Sequence, residues 1–324
     1  MELEQKFSTE LDQVTLSSKV NKILVAVSGG VDSLALCFLV EEYCQRNDIE
    51  FCALTIEHGL REDSKYQAEE LQRLLANHQI HHDIVSWEKD GEITSNIEAQ
   101  ARVARYELIC SYAKEQHVDL VLIGHHRDDQ IENFLIRLER GSGLDGLSLM
   151  DRSFSKGGVN FMRPLIAIRK SELQNYLEEK QINWFEDSSN KDTKFKRNQI
   201  RELLENLEDG DLIKQRIYQT ASHFSRIKSY ISEQVDITYL ELVTKPDGDL
   251  IVELAKFKKL HSEIALRLLI KIFAEIGNKP YKPRFEKLEN LYKKIIQDQI
   301  NKRTTFAYTI IEVKPEYIMF RPEF

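Results

Sequence analysis

Five apolar residues, Ile23-Leu24-Val25-Ala26-Val27, run straight into Ser28-Gly29-Gly30-Val31-Asp32-Ser33, and a helical stretch reaches Tyr43. An unbroken apolar run before glycines fits a strand buried on both faces, as in a parallel sheet. The pattern then repeats. Phe51–Ile56, Asp83–Trp87, Leu120–Ile123 and Asn160–Met162 read as further strands, the last stopped by Pro164. Ser64 opens a helix that turns Ala68, Leu71 and Leu75 inward, and Asn96 opens a longer one with Ile97, Ala101, Ala104 and Leu108 on one face. Asp128–Arg140 is helical, with Ile131, Phe134, Leu135 and Leu138 inward. This alternation predicts an α/β fold with a doubly wound, Rossmann-like parallel sheet, whose ligands sit beyond the carboxyl ends of the strands.

After about residue 205 the alternation stops. Helical segments over Leu212–Val235 and Glu263–Ile276 precede a hairpin-like end, Phe306–Met319. A chain of 324 residues is also long for one core. Two domains are expected, residues 1–210 and a smaller, mainly helical one over 211–324.

The net charge of −8 weighs against nucleic acid, but the charge is segregated. Residues 137–201 hold 13 Lys/Arg against 9 Asp/Glu, and residues 251–303 hold 13 against 6. A basic face on an acidic protein is one reading, and lysines that merely solvate helices are the other. No apolar run could span a bilayer, and the start lacks the basic-then-apolar pattern of a secretory signal. A cytoplasmic protein with no membrane partner is expected. Cys37, Cys44, Cys52 and Cys110 form no C-x-x-C pair and lie in apolar runs, which predicts buried, reduced thiols.

The segment Ser28 to Ser33 carries the chemistry. Its glycines let the backbone approach an anion, and the following helix presents free N–H groups and a positive dipole end. Ser28 and Ser33 add hydroxyl donors. Phosphate or pyrophosphate is therefore the expected ligand. Neither G-x-x-x-x-G-K-[ST] nor G-x-G-x-x-G is present, so the phosphoryl-transfer and dinucleotide-binding loops are excluded. Asp32 would repel bare phosphate, so Mg2+ is expected between them.

Ser28-Gly29-Gly30-Val31-Asp32-Ser33 resembles the PP-loop of the N-type ATP pyrophosphatases, which cleave ATP to AMP and pyrophosphate while adenylating a substrate. Further motifs resemble those of the tRNA(Ile)-lysidine synthetases within that superfamily. They are Glu57-His58-Gly59-Leu60-Arg61, with Glu57 where the family has Asp, and Asn96 to Tyr106, which carries Glu98, Ala101, Arg102 and Arg105. Gly124-His125-His126-Arg127-Asp128-Asp129-Gln130-Ile131-Glu132 follows, with Asn133 where Thr is usual, and then Arg140 to Leu147. Arg163-Pro164-Leu165, Trp184, Glu186 to Asn190 and Arg197-Asn198 recur in order. The likeness covers roughly residues 20–205, and the chain has the length of the family's short form.

This resemblance implies an ATP-dependent ligase that joins free L-lysine to carbon 2 of the wobble cytidine in the CAU anticodon of tRNA(Ile), through an adenylated tRNA. It implies ATP contacts at Ser28, Gly29, Gly30, Val31, Asp32, Ser33, His58 and Arg61, with Asp32 and Asp129 catalytic and sharing magnesium. Glu132, Arg102 and Arg105 become candidates for lysine, and Lys194, Lys196, Arg197, Asn198 and Arg201 for tRNA. Lys191 beside them is expected to add a phosphate contact, and Lys256, Lys258, Lys259, Lys293 and Lys294 to make residues 211–324 a tRNA-binding domain. Plainer roles stand beside these: a helix-cap carboxylate for Asp129, a solvated side chain for Glu132, a structural ring for His58 or His126, and surface ion pairs for Arg102 and Arg105. A PP-loop tRNA thiolase is the alternative, followed by a small-molecule amide former such as NAD synthetase and a non-catalytic nucleotide-binding module. The general base for the lysine amine and the oligomeric state stay open, a homodimer being one option.

Overall fold

The computed structural model describes residues 2–59, 64–88, 97–185, 196–246, 248–277, 284–300 and 303–323. The chain divides into two compact units, residues 1–222 and 223–324. The first begins with α1 (Glu2–Ser18), β1 (Lys22–Ala26), α2 (Val31–Asn47), β2 (Glu50–Glu57), α3 (Ser64–Asn77) and β3 (His82–Ser86). It continues with α4 (Ile97–Glu115), β4 (Leu120–Ile123), α5 (Arg127–Glu139), α6 (Leu144–Leu147), β5 (Ser153–Lys156) and β6 (Val159–Met162). Helices α7 (Lys170–Glu179) and α8 (Lys196–Glu205) follow, and the boundary between the units falls inside α9 (Gly210–Leu242).

The first sheet has strand order β3-β2-β1-β4-β6-β5. All neighbours are parallel except β5, which pairs antiparallel with β6. The expected doubly wound parallel sheet is thus present, with an antiparallel edge added. In β1, Ile23 and Val25 bury against Leu34, Phe38, Leu71 and Leu173 on one face. Leu24 buries against Tyr106, Ile109 and Phe161 on the other. A strand covered on both faces has no room for polar residues, which explains its unbroken apolar run. The chain leaves β1 for β2 on one side and reaches β4 on the other, so the switch point lies where β1 and β4 end.

Several expectations need correction. Helix α1 was not expected, because in a polar segment only Phe7, Leu11 and Thr15 are buried. Ile97 and Leu138 are exposed (41% and 51%), not inward. Helix α4 instead buries Ala101, Ala104, Tyr106, Ile109 and Cys110, while Leu138 lies past the stretch of α5 that packs on Ile200 and Leu204 of α8. The helix-opening Asn96 falls outside the described residues. All four cysteines are buried and unpaired, and desolvation pushes the Cys44 thiol up to about 12.

The second unit follows α9 with β7 (Val243–Thr244), β8 (Leu250–Glu253), α10 (Leu254–Phe257), α11 (Ser262–Gly277) and α12 (Phe285–Ile296). Strands β9 (Arg303–Phe306), β10 (Thr309–Val313) and β11 (Tyr317–Pro322) close it. Its antiparallel sheet, order β7-β8-β11-β10-β9, contains more strand than the expected terminal hairpin. Val252, Ile311, Ile318 and Phe320 pack there against Leu268, Leu269, Ile272 and Leu288. Among the described residues no helix is long and apolar enough to cross a membrane.

Candidate active site

Past the end of β1, Ser28-Gly29-Gly30 lead into α2, with Gly30 at the N-cap and, among the described residues, no side chain capping the first turn. The N–H groups there remain available to an anion. Gly29 has φ +82°, and an added Cβ would lie 2.6 Å from the Phe185 ring. The Phe185 N–H donates to the Gly29 carbonyl at 3.0 Å. Glycine is required at this position on both counts. The Ser33 hydroxyl donates to Gly30 O (3.0 Å) and accepts from Ser28 N–H (3.0 Å), with Ser28 Oγ at 3.2 Å. It braces the loop from within, while Ser28 is exposed.

Strand β4 ends beside this loop. A Cβ on Gly124 would come within 3.1 Å of Asp32 O, so the next segment lies close against α2. His126 then caps α5. Its Nδ1 accepts from the Asp128 N–H (3.2 Å), and its own N–H donates to Asp129 Oδ2 (3.0 Å). With Nδ1 accepting, the ring proton sits on Nε2, which lies 3.3 Å from Asp32 Oδ2 and 3.6 Å from Asp129 Oδ2. Two carboxylates distant in sequence therefore converge on one buried imidazole. Burial opposes a charge on this ring, but the hydrogen bond with Asp32 and the charges of Asp129 and Asp128 outweigh it and raise its pKa. Burial likewise opposes the Asp129 charge, yet His126, His125 and the His126 N–H hold the carboxyl below its usual range. Asp128 also accepts the Lys170 N–H (2.9 Å), which ties α7 to α5.

Glu132 is 3% exposed and is already engaged. Arg201 Nε and Nη2 lie 2.5 and 3.2 Å from its two oxygens, and Arg197 Nε lies 3.2 Å from Oε2. Burial raises the Glu132 pKa, opposed by both arginines. Two of the residues expected at tRNA thus dock α8 on α5. A third, Lys196, pairs with Glu139 (2.7 Å), and Asn198 is buried. Arg102 and Arg105 gather at the Tyr106 ring, each 5.6 Å from its centroid. Arg163, not among the expected site residues, stacks on Phe154 at 4.3 Å and donates to His125 Nδ1 at 3.2 Å. Burial pushes His125 down to about 4. His58 meets Trp87 edge to face at 6.1 Å beyond the ends of β2 and β3. Arg61, Lys191, Lys194 and the Glu186–Asn190 motif lie outside the described residues.

The PP-loop domain family matches residues 3–207. A tRNA(Ile)-lysidine synthase of Wolbachia pipientis wMel is 37% identical over 313 residues, covering 95% of this chain and 71% of the relative. The chain belongs to the tRNA(Ile)-lysidine synthase family. A second lysidine synthase relative, from Orientia tsutsugamushi strain Boryong, is 33% identical over 333 residues, covering 100% of this chain and 75% of its own length. Among solved structures, a U34-tRNA thiolase from Methanococcus maripaludis matches with TM-score 0.58 and 19% identity. That match covers 70% of this chain and 78% of the thiolase, and at that identity it shows a shared fold alone. ATP use follows from the PP-loop family. His125, His126 and Arg163, all within the motifs of the sequence, gather at the end of β4 beside Asp32.

Proposed function

We propose that this chain uses ATP to ligate free lysine to carbon 2 of the wobble cytidine in the CAU anticodon of tRNA(Ile), releasing AMP and pyrophosphate. The observation that carries this reading is the convergence of Asp32 and Asp129 on His126 beside the Ser28–Ser33 loop, in a chain of the lysidine synthase family.

The open N–H groups of the α2 N-terminus receive the pyrophosphate. The cytidine oxygen on carbon 2 attacks the α-phosphorus, and the lysine amine then attacks carbon 2. Magnesium fits this loop, because Asp32 Oδ1 is buried without a hydrogen-bond partner among the described residues. Asp32 and Asp129 would hold the ion, which when bound neutralises charge on the leaving pyrophosphate. His126 aims Asp32 through its Nε2 proton and Asp129 through its backbone N–H. Arg102 and Arg105 are offered to the lysine carboxylate, since neither has a carboxylate partner within ion-pair range among the described residues. A lysine ammonium reaches Glu132 only in place of Arg197 or Arg201.

We assign catalysis to residues 1–210 and tRNA binding to residues 211–324. Of the five lysines expected there, Lys256 pairs with Glu253, Lys258 with Asp298 and Lys293 with Glu289, which leaves Lys259 and Lys294 unpaired among the described residues. Incorporation of radiolabelled lysine into transcribed tRNA(Ile), with ATP and magnesium, tests the reading beside an Asp32→Ala control. Label present with the unaltered chain and absent with the control is expected. AMP release upon tRNA addition without label would remove lysine as the nucleophile.

A further inference from the structure

Between Ala26, the last residue of β1, and the glycines of the loop lies the peptide unit of Val27 and Ser28. Its surroundings are unlike those of the ladder before it. The Val27 N–H still donates to Leu54 O (2.9 Å), closing the pairing with β2. The Val27 carbonyl has left the ladder and accepts instead from the Thr55 hydroxyl (2.9 Å). At the other pole of the same peptide unit, the Ser28 N–H donates to Ser33 Oγ (3.0 Å). A rotation of this peptide plane therefore breaks two hydrogen bonds at once.

The chain of contacts extends one strand further. Thr55 Oγ1 lies 2.8 Å from His82 Nε2, on β3. A hydroxyl has one proton, and Thr55 spends it on Val27. His82 must be the donor, which fixes its ring as the Nε2–H tautomer. Its Nδ1 is then a bare lone pair, and this atom is buried without a partner among the described residues. Thr55 is 7% and His82 6% exposed, so no solvent competes for either link. Burial pulls the His82 pKa down to about 4, which keeps the ring a neutral donor at physiological pH.

We propose that Thr55 and His82 are positioning residues of the pyrophosphate-binding loop, a relay from β3 through β2 that holds the Val27–Ser28 peptide plane and so aims the N–H groups of Gly29 and Gly30. The proposal rests on the reading of this loop as the ATP site. Gly29 follows immediately with φ +82°, and the direction in which the loop leaves the strand is set by the plane before it. Both residues act through the backbone of the loop and touch no substrate themselves.

The test is calorimetric binding of α,β-methylene ATP, with magnesium, to the full chain and to Thr55→Val and Thr55→Ser. Loss of one buried hydrogen bond predicts about five- to tenfold weaker binding by the valine variant. The serine variant should stay within about twofold, because it restores the donor. A valine variant that melts cooperatively, as the unaltered chain does, and binds the analogue with unaltered affinity overturns the relay. Nitrogen-15 NMR of histidine-labelled unaltered chain, assigned against His82→Gln, gives an answer that does not depend on the Thr55 variants folding. The Nε2–H tautomer at pH 7 is expected, and an Nδ1–H tautomer or an imidazolium overturns the proposal. Failure of the unaltered chain to bind the analogue would overturn the ATP reading and the relay with it, whereas unaltered affinity in Thr55→Val overturns the relay alone.

Discussion

At position 29 a methyl group is too much. Gly29→Ala places a Cβ 2.6 Å from the Phe185 ring at φ +82°, so the ring must move and the backbone is strained. A left-handed conformation costs an L-residue roughly 1–2 kcal/mol before any clash. The variant should melt several degrees lower and lose most of its affinity for ATP, as thermal denaturation and nucleotide binding would show. His82 makes a different kind of residue-scale prediction. Its pKa is depressed in the folded protein, with burial the main cause, His81 assisting and Asp83 opposing. The unfolded chain takes up a proton near pH 6.5 and the folded chain only near about 4, so stability is lost as pH falls through this window. The upper bound is about 3 kcal/mol. Urea midpoints at pH 7 and pH 5 should fall steeply for the native chain and less so for His82→Gln. Equal slopes would show that the ring is not the group titrating.

On the scale of elements, α8 is held to α5 by a polar link above a small apolar seam. Ile131 packs on Ile200 and Leu204, and Glu132 receives Arg201 and Arg197. Removing Arg201 leaves a buried carboxylate short of its main partner. Arg201→Ala is expected to cost about 3 kcal/mol in urea denaturation, because an uncompensated buried charge is expensive. Arg201→Met with Glu132→Leu should recover much of that loss, since the pair is then replaced by apolar volume. If the single substitution costs under about 0.5 kcal/mol, the bridge is no more than a surface ion pair. The same elements explain the placement of the acids. A capping interaction starts α5, and this cap brings Asp129 to the imidazole that also faces Asp32.

Across the whole molecule the net charge is −8, although the proposed substrate is a polyanion. Binding must then rely on local basic clusters, and it should weaken steeply with salt. A plot of log affinity for tRNA against log salt is expected to be linear and negative. Lys259→Ala and Lys294→Ala should each reduce its slope by about 1 while lowering affinity for any tRNA alike. A slope unchanged by both substitutions would place the phosphate contacts elsewhere.

Sequence alone determined the parallel sheet, the pyrophosphate loop and the family, because these are written in local patterns. Unbroken apolar runs mark strands buried on two faces, and glycines before a helix mark an anion site. Tertiary structure decided the rest. Helix α1 carries too few apolar residues to be read from periodicity, and it forms because Phe7 and Leu11 find a core. Strands β7 and β8 lack a signal of their own and exist through pairing with each other and with β11. Arg201 and Glu132 are 69 residues apart, and Thr55 is 28 residues from the carbonyl it holds. Which charges cancel inside the protein, and which remain for a ligand, depends on such distant pairs, and only the folded chain brings them together.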